Sequence, residues 1–182
     1  IRTVITSRAF IEQADLKILE KTLLDAGLTL VYLEDVRDHA TLGNKLRGLL
    51  CYLFKVKPKS NPSGPGTILF TSGSEGSPKA VVLSHRNLQA NRVQCLSMVP
   101  ITNEDRIFNC LPMFHSFGLG VGSLLPVLSG IRTFFYPSPL HYRIVSELCY
   151  DTSTSVIFGT DTFMSGYARA AHPYDFFNLR IA

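Results

Sequence analysis

Thr67-Ile68-Leu69-Phe70, Thr71-Ser72-Gly73-Ser74-Glu75-Gly76-Ser77-Pro78-Lys79 and Ala80-Val81-Val82-Leu83 follow one another without a break and read as strand, loop and strand. Glycines at 73 and 76 allow the backbone positive φ and a close approach to a ligand. Successive backbone N–H groups in such a turn form a concave nest for an anion. The hydroxyls of Thr71, Ser72, Ser74 and Ser77 add donors, and Lys79 adds a mobile point charge suited to a polyphosphate. A Walker loop would carry Gly-x-x-x-x-Gly-Lys-Ser/Thr and lead into a helix. Here Pro78 precedes Lys79 and a strand follows, so the loop is expected to close a β-hairpin and to grip phosphate through its nest. A serine-hydrolase elbow is excluded because Gly-x-Ser-x-Gly is absent: Ser72 stands two residues before Ser74. An ordinary Ser/Gly-rich hairpin loop is the plain alternative.

On either side, short apolar strands alternate with helical patterns. Thr3 to Ser7 reads as a strand. Asp15 is placed as the N-cap of a helix with Leu16, Leu19 and Leu23 on one face and Gly27 as its stop. Leu28 to Leu33 reads as a buried strand, and Leu42, Leu46, Leu49, Leu50 and Leu53 recur at helical spacing. The Pro/Gly/Ser-rich stretch 57–66 reads as a linker or surface loop between a preceding α/β segment, 1–56, and the loop-bearing segment, 67–182. After the hairpin, Ser84 is placed as the cap of a helix whose Leu88, Cys95, Leu96 and Val99 share a face. Further strands are expected at Arg106–Asn109, Ile131–Tyr136, Ser155–Phe158 and from Leu179 onward. Strands alternating with helices predict an α/β fold, a layered and mostly parallel sheet with flanking helices.

Composition narrows the function. With 46% hydrophobic and 18% charged residues among 182, the chain has the make-up of a globular domain. A net charge of +4 is scattered. The densest basic stretch, Lys55-Val56-Lys57-Pro58-Lys59, reads as a solvated connector, so no nucleic-acid partner is expected. Four cysteines, at 51, 95, 110 and 149, sit among apolar neighbours without a Cys-x-x-Cys pair and read as free thiols in a reducing compartment. The longest apolar run, Phe117 to Leu128, is far short of the roughly 20 residues that span a bilayer. Neither a signal peptide nor a metal-ligand set is recognised.

The string from Thr71 to Ala80 resembles the signature loop of the adenylate-forming superfamily, which contains acyl-CoA synthetases, luciferases and the adenylation domains of peptide synthetases. The resemblance implies that the chain is part of the large N-terminal domain of such an enzyme. It further implies that 71–77 and Lys79 hold the β- and γ-phosphates of ATP. Two positions depart from the common form: Glu75 replaces a frequent hydroxyl and Ala80 a frequent glycine. The Glu75 carboxylate is expected to point outward or toward a magnesium ion. Leu111-Pro112-Met113-Phe114-His115-Ser116-Phe117-Gly118 is similar to the family's Pro-x-Phe-His stretch beside the acyl pocket. His115, with Lys79, is thereby a catalytic candidate, and Phe114 and Phe117 shape the pocket walls; a satisfied core histidine is the alternative. Ser155 to Thr160 resembles, more weakly, the family's acyl-site strand, which makes Gly159 and Thr160 candidates for the pocket floor.

Tyr136-Pro137-Ser138-Pro139-Leu140-His141-Tyr142-Arg143 and Ala171-His172-Pro173-Tyr174-Asp175-Phe176 look like the acyl–acyl-carrier-protein synthetase branch, the ligase half of bacterial bifunctional 2-acylglycerophosphoethanolamine acyltransferases. The implied reaction joins a long-chain fatty acid to AMP, using ATP and Mg2+, and passes the acyl group to the thiol of acyl carrier protein, or of coenzyme A. It would serve phospholipid remodelling at the cytoplasmic face of the bacterial inner membrane. These residues are themselves expected to be soluble. The acyltransferase His-x-x-x-x-Asp motif is absent, since Asn44, Ala90, Gly120, Ser146 and Phe177 stand five residues after the five histidines. The family's Tyr-Gly-x-Thr-Glu adenine segment, which supplies a magnesium ligand, is also not found. Hence these 182 residues are expected to be a fragment that does not form acyl-adenylate alone.

Overall fold

A computed structural model describes residues 1–56, 61–71 and 78–182. The chain divides into two compact units, Ile1–Lys59 and Ser60–Ala182.

In the first unit, β1 (Thr3–Thr6) and β2 (Thr29–Tyr32) pair in parallel, with Thr3 opposite Thr29. Between them run α1 (Arg8–Gln13) and α2 (Lys17–Asp25); α3 (Leu33–Asp38) and α4 (Leu42–Leu53) follow. Ser7, expected to end β1, instead caps α1 by accepting the Phe10 N–H at 3.1 Å. That cap makes a short helix the sequence reading did not contain. Asp15 is not an N-cap: α2 is capped by Leu16 without a side-chain bond, and Asp15 lies at φ 49° in the turn between the two helices. A short polar side chain tolerates that left-handed geometry better than most residues. Gly27 ends α2 at φ 77°, as expected of a helix stop. Leu33 opens α3 rather than closing β2.

The second unit positions the candidate site. Strand β3 (Pro65–Thr71) pairs antiparallel with β4 (Lys79–Ser84), the next strand in the chain, with Thr71 opposite Lys79. The loop residues Ser72 to Ser77 lie outside the described residues, as do 57–60 of the expected linker. Pro65 and Gly66, assigned to that linker, belong to β3. Ser84 forms a full capping box with Asn87 and starts α5 (His85–Met98). Val99, expected on the face of this helix, has left it for an extended conformation.

Next come β5 (Arg106–Asn109), a π-helical segment (Gly118–Leu124), α6 (Leu125–Ser129), β6 (Arg132–Phe135), α7 (Tyr142–Asp151), β7 (Val156–Ile157) and α8 (Asp161–Ala170). The three strands form a parallel sheet in the order β6-β5-β7. From Leu179 onward only a bridge from Ile181 to Val156 forms.

The central strand is apolar on both faces. Phe108 packs with Val145 and Cys149 of α7, Ile157 and Tyr167 of α8. Ile107, the next residue along, packs the other way with Leu125, Ile131 and Val156, flanked by Cys95 and Leu96 of α5. Burial of such a side chain contributes about 1.5–3 kcal/mol, and burial on both faces explains why two adjacent positions of the strand, Ile107 and Phe108, are both large and apolar.

Candidate active site

In an open parallel sheet, ligands bind beyond the carboxyl ends of the strands, where the chain switches from one side of the sheet to the other. With the order β6-β5-β7, the chain leaves β5 for one edge and later returns past it to the other. The rule thus points to the carboxyl ends of β5 and β7. Those ends carry the two segments singled out in sequence, Leu111–Gly118 and Phe158–Thr160. They meet where the rings of Phe117 and Phe158 pack edge to face, centroids 6.3 Å apart.

His115 is exposed, which excludes the core-histidine reading. Its N–H donates to the Pro112 carbonyl at 3.1 Å and its carbonyl accepts the Leu119 N–H at 2.8 Å. Its ring Nδ1 accepts the Phe117 N–H at 3.3 Å. A neutral imidazole so held carries its proton on Nε2, leaving that atom as the one able to meet a ligand.

Phe114, His115 and Ser116 form one wall of a cleft of about 460 Å³ whose other wall is the hairpin, through Leu69, Phe70, Thr71, Val81 and Leu83. The structure thus brings Thr71, Phe114 and His115 together. Lys79 is exposed and faces Thr71 across the hairpin; the Thr71 hydroxyl reaches its carbonyl at 3.5 Å. Phe117 lines a neighbouring cleft of about 410 Å³ with Leu88 and Asn91 of α5 and Val121 of the π-helical segment. Leu69, Leu83 and Ser116 line both clefts, so the two adjoin.

Gly159 and Thr160 line neither cleft. A Cβ on Gly159 would sit 2.8 Å from the Met164 sulfur, so this glycine packs closely on α8. Thr160 is the exposed N-cap residue of that helix. His141 and Arg143 likewise serve α7. His141 precedes its first turn and bonds the Tyr136 hydroxyl at 2.9 Å. Arg143 pairs with Glu147 at 2.6 Å.

Two cysteines are buried in the core and line neither cleft. Cys110 is buried, its Sγ 3.2 Å from the Tyr167 hydroxyl, and burial pushes its thiol up. Burial, with Cys110 adding to it, pushes Cys149 up to about 12. Both stay protonated thiols near neutral pH.

Sequence reading missed the residues behind His115. Asn109, the last residue of β5, is buried; its Oδ1 accepts the Leu111 N–H at 3.0 Å and its Nδ2 donates to the Ser123 hydroxyl at 3.3 Å. Ser123, also buried, donates to the Gly118 carbonyl at 2.9 Å. A Cβ on Gly118 would fall 2.1 Å from the Pro112 carbonyl oxygen, and one on Gly122 would fall 2.4 Å from Asn109 Oδ1. The available signal was a pair of glycines four apart inside a helical apolar run, a spacing that marks close approach.

The AMP-binding enzyme family matches residues 1–182, the whole chain. This chain belongs to the AMP-binding enzyme family. Over 73 residues, 40% of its length, the chain is 36% identical to sulfoacetate–CoA ligase of Cupriavidus necator. Over 113 residues, 61% of the chain, it is 32% identical to acyl-CoA ligase sidI of Aspergillus fumigatus. Its fold matches O-succinylbenzoate coenzyme A synthetase (MenE) of Bacillus subtilis in complex with ATP and magnesium ion, with a TM-score of 0.73 over 99% of the chain at 17% identity. The matches take in 14% and 19% of the two ligases and 33% of the MenE chain, so the chain spans a minority of each relative's length.

Proposed function

We propose that the complete protein is an ATP-dependent acid–thiol ligase that activates a long-chain fatty acid as its acyl-adenylate and transfers the acyl group to acyl carrier protein in phospholipid remodelling. The observation that carries the ligase reading is the cleft shared by Thr71, at the mouth of the Ser/Gly-rich hairpin, with Phe114 and His115 at the end of β5. One cleft thereby joins a hydroxyl and a nearby cation to an apolar, aromatic wall. A triphosphate suits the first and an acyl chain the second. The acyl-carrier-protein branch rests on the segments at 136–143 and 171–176.

ATP, when bound with magnesium, supplies the electrophilic phosphorus and the pyrophosphate leaving group. The donors present fit such a polyanion: Lys79 contributes a full positive charge and Thr71 a hydroxyl whose present bond, at 3.5 Å, is weak enough to be exchanged. Their work is orientation and charge stabilisation rather than proton transfer. His115 presents Nε2–H as a donor toward the carboxylate, and Phe114 and Phe117 keep water from the chain behind it. Gly159 and Thr160 act one step removed, by seating Phe158 against Phe117.

A second reading, with coenzyme A as acceptor, is favoured by the names of the relatives, which are CoA ligases. The test offers the complete polypeptide ATP, magnesium and labelled long-chain fatty acid, with acyl carrier protein and coenzyme A in parallel. Label on the carrier protein alone supports the first reading. Label on coenzyme A supports the second, and nucleotide binding with no transfer to either removes both.

A further inference from the structure

We infer that Asn109 and Ser123 are positioning residues for His115: together they set the register of the π-helical segment and through it the aim of the imidazole. The inference rests on the reading of His115 and Phe117 as walls of the acyl site.

The wiring is specific. Asn109 ends the central strand, where its backbone is already fixed, its carbonyl accepting the Tyr136 N–H at 2.9 Å. Its side-chain amide then spends one oxygen on Leu111, which leads into the His115 turn, and one N–H on Ser123, which lies on the far side of that turn. Ser123 closes the circuit on the carbonyl of Gly118, at the opening of the π-helical segment. The loop 111–118 is thus clamped at both of its ends by one buried polar pair. Two of the segment's three glycines lie tight against this region, Gly118 on Pro112 and Gly122 on Asn109. His115 hangs inside it, held by the Pro112 carbonyl, the Leu119 N–H and the Phe117 N–H.

An ordinary α-turn after Gly118 would shift every following side chain by a fraction of a turn. π-Helical stretches are rare and recur at functional sites, because the extra residue re-aims what precedes and follows it. Neither Asn109 nor Ser123 lines the clefts, so their effect reaches substrate only through the loop. Removing the Ser123 hydroxyl leaves Asn109 bonded to Leu111 but frees the Gly118 end of the clamp. Replacing Asn109 by leucine frees both ends and leaves a buried N–H unpaired, a larger and less easily tolerated change.

The experiment uses the complete polypeptide with Ser123→Ala and Asn109→Leu. Steady-state kinetics are measured separately for fatty acid and ATP, and NMR of isotope-labelled histidine reads the His115 tautomer, assigned by the signal lost in His115→Gln. The expected result for Ser123→Ala is a KM for fatty acid raised, or a kcat lowered, by roughly tenfold, because small misplacements of a positioned group cost that much. The KM for ATP is expected to be unchanged, and the His115 ring to lose its preference for the Nε2–H form. Asn109→Leu is expected to show the same pattern more strongly. A Ser123→Ala enzyme that only melts earlier, with tautomer and acid KM unchanged, overturns the inference. Should the wild-type protein form no acyl-adenylate from any acid, the proposed function fails, while the tautomer measurement still decides whether this clamp aims His115.

Discussion

At the start of β5 the Asp105 carboxylate is buried and takes four donors: the Arg180 guanidinium at 2.6 Å, the Thr102 N–H at 2.7 Å, the Thr102 hydroxyl at 3.2 Å and the Ser155 hydroxyl at 2.7 Å. At the end of the same strand, Asn109 is equally buried but neutral, and its bonds run to a loop that leads out to exposed His115 and Phe114. Full charge, buried and saturated, marks one end of the sheet. Neutral amides and hydroxyls behind an open apolar cleft mark the other. The first arrangement ties β5, the approach to β7 and the segment after α8 into one body. The second leaves surface free for ligands. Changes at the amino end of the sheet should therefore alter stability and spare chemistry, and changes at the carboxyl end should do the reverse.

The largest expected effect tests the amino end. Asp105→Ala strips a buried partner from Arg180 and from the Ser155 and Thr102 donors, and breaking a buried pair costs about 3 kcal/mol even when one partner is half-exposed. Denaturant unfolding of the complete protein should show that loss, with kcat/KM of the remaining folded enzyme unaltered. A lowered kcat/KM in folded protein would erase the distinction between the two ends.

Lys79→Ala tests the opposite side. Loss of a charge-assisted contact to phosphate, about 1.5–3 kcal/mol, should lower the adenylation rate at limiting ATP roughly ten- to hundredfold. The melting temperature should not move, because the side chain is exposed. An unchanged rate removes Lys79 from the phosphate grip.

Acid sharpens the comparison without mutation. Burial alone would raise the Asp105 carboxyl, but bonds from Arg180, Thr102 and Ser155 outweigh it and hold the group down to about 2. Its folded pKa lies below its unfolded value of about 3.9, so its stabilisation is complete above that value and lost as pH falls through the folded pKa. The shift is equivalent to roughly 2–3 kcal/mol. Stability measured from pH 5 downward should fall in that window. Asp105→Asn should flatten that part of the profile, and an unflattened profile would assign the acid sensitivity elsewhere.

The smallest effect is backbone. Gly130 ends α6 at φ 70° and leads toward β6, with open space around its missing side chain. Gly130→Ala should cost about 1 kcal/mol from the left-handed φ alone, with activity retained. A neutral substitution would show that this turn relaxes.

The hairpin, the Ser84 cap and the leucine face of α4 were legible because each depends on neighbours within a few residues. Misreadings fell where two local signals competed. Ser7 looked like the end of a strand and is the cap of α1, and Asp15 looked like a cap and occupies a left-handed turn. Of the site, His115 and its aromatic neighbours were visible as a motif, yet Asn109 was not. A single asparagine at a strand end has no pattern; it acquires a role only from Ser123, fourteen residues away. Gly159 was read as pocket floor; it packs beside Met164 and lines neither of the two clefts.

By itself, then, the amino-acid sequence determined the hairpin, the capped helices, the apolar strands and the family to which the chain belongs, because turn chemistry, capping and side-chain period act over short stretches of chain. The tertiary structure alone decided the strand order β6-β5-β7, the π-helical course of residues 118–124 and the clamp of Asn109 and Ser123 behind His115. These depend on which distant segments pack together, and on the free energy of satisfying buried polar groups once they do.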